Sequence, residues 1–120
     1  RRSRRRRARR GSRFGAEDLA ADICATRTEE GDEVLYAREH VVLAASAAGV
    51  DAIDTIYPDI EGTDGLAAAT EFAAELGYAG KMAIHPAQVA VINDAFTPSA
   101  ERVEWAERIV EASADAAGLR

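Results

Sequence analysis

From Phe14 onward, apolar positions alternate between helical spacing and short β-branched runs. In 33–48 (EVLYAREHVVLAASAA), Val34, Ala37, Val41, Ala44 or Ala45, and Ala48 share one helical face, and Glu33, Arg38 and Glu39 fall largely off it. Gly49 supplies a C-terminal stop. Residues 51–57 (DAIDTIY) are short, β-branched and followed by Pro58, which predicts a buried strand. PDIEGTDG is a loop of turn formers, with Asp64 as the cap of a helix over 65–76 that stops at Gly77. Residues 79–84 (AGKMAI) predict another strand, and His85-Pro86 switches it into a helix with Pro86 at the first helical position. Thr97-Pro98 opens the last helix, with Val103, Ala106, Val110 and Ala114 along one face.

Helix, strand, helix, strand, helix with crossovers of this length predicts parallel βαβ units of an α/β fold. Two strands are clear, a third is expected to feed into Phe14, and no internal repeat is visible. Two or three parallel strands leave open edges, and a (β/α)8 barrel needs about 250 residues. The 120 residues are therefore expected to be part of something larger. No run of about 18 apolar residues suggests a membrane span, and no secretory signal pattern is present. The single cysteine, Cys24, forms no internal disulfide, suits a cytoplasmic location and reads as a small core residue.

The net charge of −6 conceals two opposed segments. Residues 1–13 hold nine of the 15 basic residues and no acid, which leaves six basic residues against all 21 acidic ones, a formal −15, over 14–120. The tract 1–13 is expected to be disordered. A basic run of this kind can serve as a nucleic-acid arm, although it carries no aromatic residues for stacking on bases. Out-of-frame translation of GC-rich DNA yields the same composition, and that origin is favoured on composition.

Candidate chemistry lies after each strand, where parallel α/β folds place their sites. Phe14-Gly15-Ala16-Glu17-Asp18 is a small-residue turn with two carboxylates. Its N–H groups from Ala16 to Asp18 can hold a carboxylate and Asp18 a hard cation, while spacing alone favours two acids that complement a helix N-terminus. Asp54 in an apolar run needs a partner: it can orient a substrate group or satisfy loop N–H groups, and the latter is expected. Lys81 and the helix start after His85 can receive a phosphate, or His85 can cap that helix with no ligand. His40 is expected at the surface.

Together these blocks resemble the HpcH/HpaI aldolase and citrate lyase β-subunit family. The resemblance runs through FGAEDLAADI, ATRTEEGDEVLYAR, AAGVDAIDTIYPDI and ELGYAGKMAIHPAQVAVINDAFTPS, over about residues 14–110. The branch it resembles most handles acyl-CoA thioesters. The resemblance implies a partial TIM barrel, about the last three βα units over 14–120, of a Mg²⁺-dependent carbon–carbon lyase. Such an enzyme acts on citryl-, malyl- or citramalyl-CoA and a keto acid, and is a homo-oligomer when complete. It implies Asp18 as a metal ligand, Ala16 and Glu17 in substrate binding, and Ile84, His85 and Pro86 at the coenzyme A side. The family's second acidic metal ligand and its substrate arginines belong to earlier strands, so the chain is expected to be inactive alone. The apolar strand that normally leads into FGAED is not visible, and Cys24 stands where a glycine is expected. The alternative is a non-catalytic half-barrel module that binds nucleic acid or a partner through its arginines.

Overall fold

A computed structural model describes residues 10–118. Its elements are β1 (Gly11–Arg13), α1 (Ala16–Asp22), α2 (Asp32–Ala48), β2 (Asp51–Asp54), α3 (Thr63–Leu76), β3 (Gly80–Lys81), α4 (Ala87–Phe96) and α5 (Ala100–Gly118). The strands form one parallel sheet in the order β1-β2-β3. Helices α1 to α4 connect or flank these strands, as parallel connections require.

The third strand, expected to feed into Phe14, is β1. Gly11, Ser12 and Arg13 pair with Asp51, Ala52 and Ile53, and the Arg10 carbonyl accepts from the Asp51 N–H at 3.3 Å. Residues 10–13 are therefore tied to the sheet, which corrects the disordered assignment for them. A parallel edge strand is held by backbone bonds, which Gly-Ser-Arg makes without any apolar side chain. The rest of the arginine tract lies outside the described residues.

Alternation along β2 separates two faces. Ala52 and Asp54 are buried, while Asp51 and Ile53 are only half-buried. Ala52 joins Phe14, Ala16, Ala20, Val34, Ala45, Ala73 and Tyr78 in a core rich in alanine. On the opposite face, Ile53 lies across Gly11 and Gly80, where a Cβ would meet it at 3.7 and 3.5 Å.

The helix stops behave as their glycines require. Gly49 and Gly77 adopt left-handed φ of 67° and 103°, and their N–H groups close onto the ends of α2 and α3. At the start of α3 the cap is Gly62 and no side chain caps the helix, which corrects the role expected of Asp64. Pro86 occupies the N-cap of α4, one position before its expected place. Gly65 lies within the first turn of α3, where a Cβ would clash with the Tyr57 hydroxyl.

Two apolar assignments change. Cys24 is exposed and has φ of +58°, so it is not a core residue. It ends α1 in the left-handed region, which explains why glycine is expected there and costs another residue about 1–2 kcal/mol. In α5, Val103, Ala106, Val110 and Ala114 share a face, yet no residue of the helix is buried. No other element among the described residues packs closely enough to cover it.

Candidate functional site

The C-terminal ends of the three parallel strands lie side by side, so the loops leaving them are neighbours. The first is the Phe14-Gly15 turn into α1. Phe14 is buried, and its N–H extends the ladder by donating to the Ile53 carbonyl at 2.9 Å. The buried Ala16 N–H donates to Thr55 Oγ1 at 3.1 Å, so it is engaged within the fold. Asp18 is exposed in the first turn of α1, with Oδ2 3.8 Å from where a Cβ on Gly15 would be.

Glu17 is held in a clamp. Arg27 Nε donates to Glu17 Oε1 at 3.0 Å, and Arg27 Nη1 donates to Glu33 Oε1. The Thr28 hydroxyl and N–H donate to Glu33 at 2.7 and 3.0 Å, and Thr28 Oγ1 accepts from the Gly31 N–H at 3.1 Å. This network joins the start of α1 to the start of α2. The Thr28 hydroxyl and N–H hold the Glu33 carboxyl down at about 2, below its ordinary 4.5, with Arg27 adding to the effect. A lowered carboxylate contributes stability that is full above about pH 4.5 and lost as the pH falls toward 2. Acid titration followed by circular dichroism should therefore show Glu33→Gln losing the part of the acid transition that falls in this window. An identical acid profile in the variant would contradict the clamp.

Beneath these loops lies a buried charge cluster. Asp54 is 0 % exposed, and its carboxylate accepts from Arg38 Nε at 2.9 Å, Arg38 Nη2 at 2.6 Å and Lys81 Nζ at 2.8 Å. These partners replace the loop N–H groups expected for Asp54. Lys81 faces the sheet's own carboxylate and not a phosphate position at the start of α4. Burial pushes the Lys81 ammonium down from its ordinary range, and Asp54 opposes that shift. Arg38 also donates to the Ala69 carbonyl at 3.4 Å and lies 5.3 Å from the centre of the Phe72 ring. The Tyr78 hydroxyl donates to the Arg38 carbonyl at 2.8 Å, and burial together with the Asp54 charge pushes this phenol up to about 12. The cluster thus fixes α2, β2, β3 and α3 relative to one another.

A cavity of about 720 Å³ opens between α2 and α3, lined in part by Phe14, Glu17, Arg27, Arg38, Tyr57 and Phe72. Ala16 also lines it, but Asp18, Ile84, His85 and Pro86 do not. Ile84, His85 and Pro86 are exposed on the loop after β3, where His85 Nδ1 accepts from the Ala87 N–H at 3.1 Å. The neutral ring therefore carries its proton on Nε2, which is left to donate outward. His40 is exposed and stacks on Tyr36, as expected of a surface residue.

Among the described residues, no three His, Cys, Asp or Glu side chains converge where they could hold a metal ion. Asp18 is a hard oxygen donor suited to Mg²⁺, but it supplies one ligand of about six. The donor set fits part of such a site. Arg38, Thr55 and Gln88, which position these loops, were not singled out as functional from the sequence. The signal for Arg38 was present, since an aspartate in an apolar strand demands a cation.

Three parallel strands, with polar loops at their C-terminal ends, define a parallel α/β protein of the type that binds ligands at that edge. The family model for HpcH/HpaI aldolase/citrate lyase matches residues 10–86, and the chain belongs to that family. It is 44% identical over 99 residues to the mitochondrial citramalyl-CoA lyase of Mus musculus, covering 82% of this chain and 29% of that protein. It is 37% identical over 106 residues to the citrate lyase subunit beta of Haemophilus influenzae, covering 88% of this chain and 36% of that protein. The crystal structure of CitE from Mycobacterium tuberculosis in complex with magnesium, acetoacetate and coenzyme A superposes with a TM-score of 0.74 at 36% identity, covering 86% of this chain and 40% of that chain. The chain thus spans well under half the length of these relatives. No helix among the described residues is long and apolar enough to cross a membrane.

Proposed function

We propose that residues 11–118 form the last three βα units of a (β/α)8 barrel, and that the complete barrel is a Mg²⁺-dependent carbon–carbon lyase for a CoA thioester. Its substrate class is citryl-, malyl- or citramalyl-CoA, with a keto acid as the second partner, and its location is the cytoplasm. The observation that carries this reading is the turn after β1. It presents the exposed Asp18 carboxylate at the strand ends, on a backbone fixed by the bond from Ala16 to Thr55. The names of the mouse and Haemophilus relatives, and the molecules named in the CitE complex, support the substrate class.

Mg²⁺, when bound, acts as a Lewis acid on the keto-acid oxygen. Asp18 is its ligand from this chain. The N–H groups of Glu17 and Asp18 hold the keto-acid carboxylate, while the Glu17 side chain braces the turn through Arg27. Ile84, His85 and Pro86 lie on the thioester side, where His85 Nε2–H donates. One carboxylate leaves the metal site incomplete, so this chain alone is inactive. The intact assembly is a homo-oligomer. The comparisons lend no support to nucleic-acid binding by the arginine tract.

The test is reconstitution. The 120-residue chain should cleave neither citramalyl-CoA nor malyl-CoA with Mg²⁺. Joined to the upstream strands and C-terminal segment of a citrate lyase β relative, the same chain should gain Mg²⁺-dependent cleavage. Turnover by the unjoined chain, or none by a well-folded joined barrel, would overturn this assignment.

A further inference from the structure

Gln88, in the first turn of α4, is only 1 % exposed and is one of the largest fully buried side chains among the described residues. Its Nε2 donates to the Tyr57 carbonyl at 2.9 Å, and its Oε1 accepts from the Ile84 N–H at 2.9 Å. A carbonyl can only accept and an N–H can only donate, so these partners fix which way the amide points. One side chain therefore ties the loop after β2 to the loop after β3. An apolar residue of the same size would leave a carbonyl and an N–H in this region without partners, the costly case.

Both loops are anchored again on their far sides. The Tyr57 ring is seated against Gly65 of α3, so its backbone carbonyl has little freedom to shift. Beyond Ile84, His85 accepts from the Ala87 N–H, which holds the segment against the start of α4. The turn carrying Asp18 is secured separately, through Thr55 and Arg27. Gln88 thus governs one end of the strand-end surface and leaves the other to different residues.

We infer that Gln88 is a positioning residue that sets the Ile84–Pro86 loop against Tyr57 and thereby controls affinity for the acyl-CoA, with no part in the chemistry at the keto acid. This inference rests on the lyase reading above. It assigns a role to a residue that contacts the ligand only through the backbone it holds.

Two measurements test it. In the 120-residue chain, Gln88→Met should speed amide hydrogen exchange at Ile84 by about tenfold or more while leaving α1 amides unchanged, the scale expected when one buried hydrogen bond is lost. Gln88→Glu keeps an acceptor for Ile84 and should retain most of that protection. In the joined barrel, Gln88→Met should raise KM for citramalyl-CoA by about tenfold, with kcat and the keto-acid inhibition constant within about twofold of wild type. An unchanged KM, or a parallel loss of kcat and keto-acid binding, overturns the positioning role while the lyase reading stands. A wild-type joined barrel without turnover overturns the lyase reading and this inference with it.

Discussion

Asp54→Asn is expected to destabilise the protein by about 3–5 kcal/mol, because it leaves Arg38 and Lys81 without their shared anion in a buried site. The Lys81 side chain is 2 % exposed and that of Arg38 12 %, so water cannot easily replace the carboxylate. A domain of this size has about 5–15 kcal/mol in total, so the variant should lose about a third or more of its stability and unfold at a much lower urea concentration, followed by far-ultraviolet circular dichroism. The pH dependence gives a second signature. Burial already pushes the Lys81 ammonium down, and without Asp54 the folded state favours its neutral form more strongly. A lysine lowered in the folded state penalises folding at neutral pH, and the penalty is relieved as the pH rises toward the ordinary lysine value near 10. Asp54→Asn should therefore recover stability between about pH 7 and 10. Replacing the trio together, by Arg38→Met, Asp54→Leu and Lys81→Met, should cost less than Asp54→Asn alone. A near-neutral Asp54→Asn, measured by urea denaturation, would show that the cluster is solvated and does not organise the sheet.

That cluster also shows what the sequence could and could not reveal. Helix periodicity and the two glycine stops located α2 and α3 closely, because a left-handed stop is a local property of the chain. The oddity of Asp54 was legible for the same reason. Its partners were not, since Arg38 and Lys81 lie 16 and 27 residues away and meet it only through the packing of α2 and the pairing of β3. Strand lengths were overread. The run Thr55-Ile56-Tyr57 is β-branched and aromatic, yet β2 ends at Asp54, and the last backbone bond to the β3 segment is the one from the Met82 N–H to the Asp54 carbonyl. β1 was legible only as a strand expected to feed into Phe14, because its Gly-Ser-Arg sequence lacks the apolar signal and its place is set by backbone bonds to β2.

At the candidate site, motif resemblance pointed to loops that the structure places at the strand ends, but not to the contacts within them. Ala16, Glu17 and Asp18 are consecutive, and the family resemblance treated them as one anion- and cation-binding turn where spacing alone favoured a helix N-terminus. The structure separates them: Ala16 N–H bonds Thr55, the Glu17 carboxylate bonds Arg27, and Asp18 is exposed. Gln88 was invisible as a functional candidate because a glutamine on a helix ordinarily reads as surface. Its burial becomes apparent only once both loop partners are in place.

In the joined barrel, Asp18→Ala should lower kcat/KM with Mg²⁺ by about two orders of magnitude or more, the scale set by removing one group that stabilises developing charge. The fold should hardly register the change. Asp18 lies outside the buried core, and its contribution to the start of α1 as an acid in the first turn is at most about 1 kcal/mol. Activity and stability are therefore expected to separate: a normal urea midpoint with turnover nearly abolished. Metal affinity should follow the same residue. In the 120-residue chain, one carboxylate should bind Mg²⁺ in the millimolar range or more weakly, and Asp18→Asn should weaken it further. Glu17→Gln makes an informative comparison, because it releases Arg27 without removing the exposed carboxylate. It should cost activity through the geometry of the turn, with metal affinity less affected than in Asp18→Asn. A joined barrel whose turnover and Mg²⁺ dependence ignore Asp18→Ala would leave family membership intact and refute the role assigned to that carboxylate.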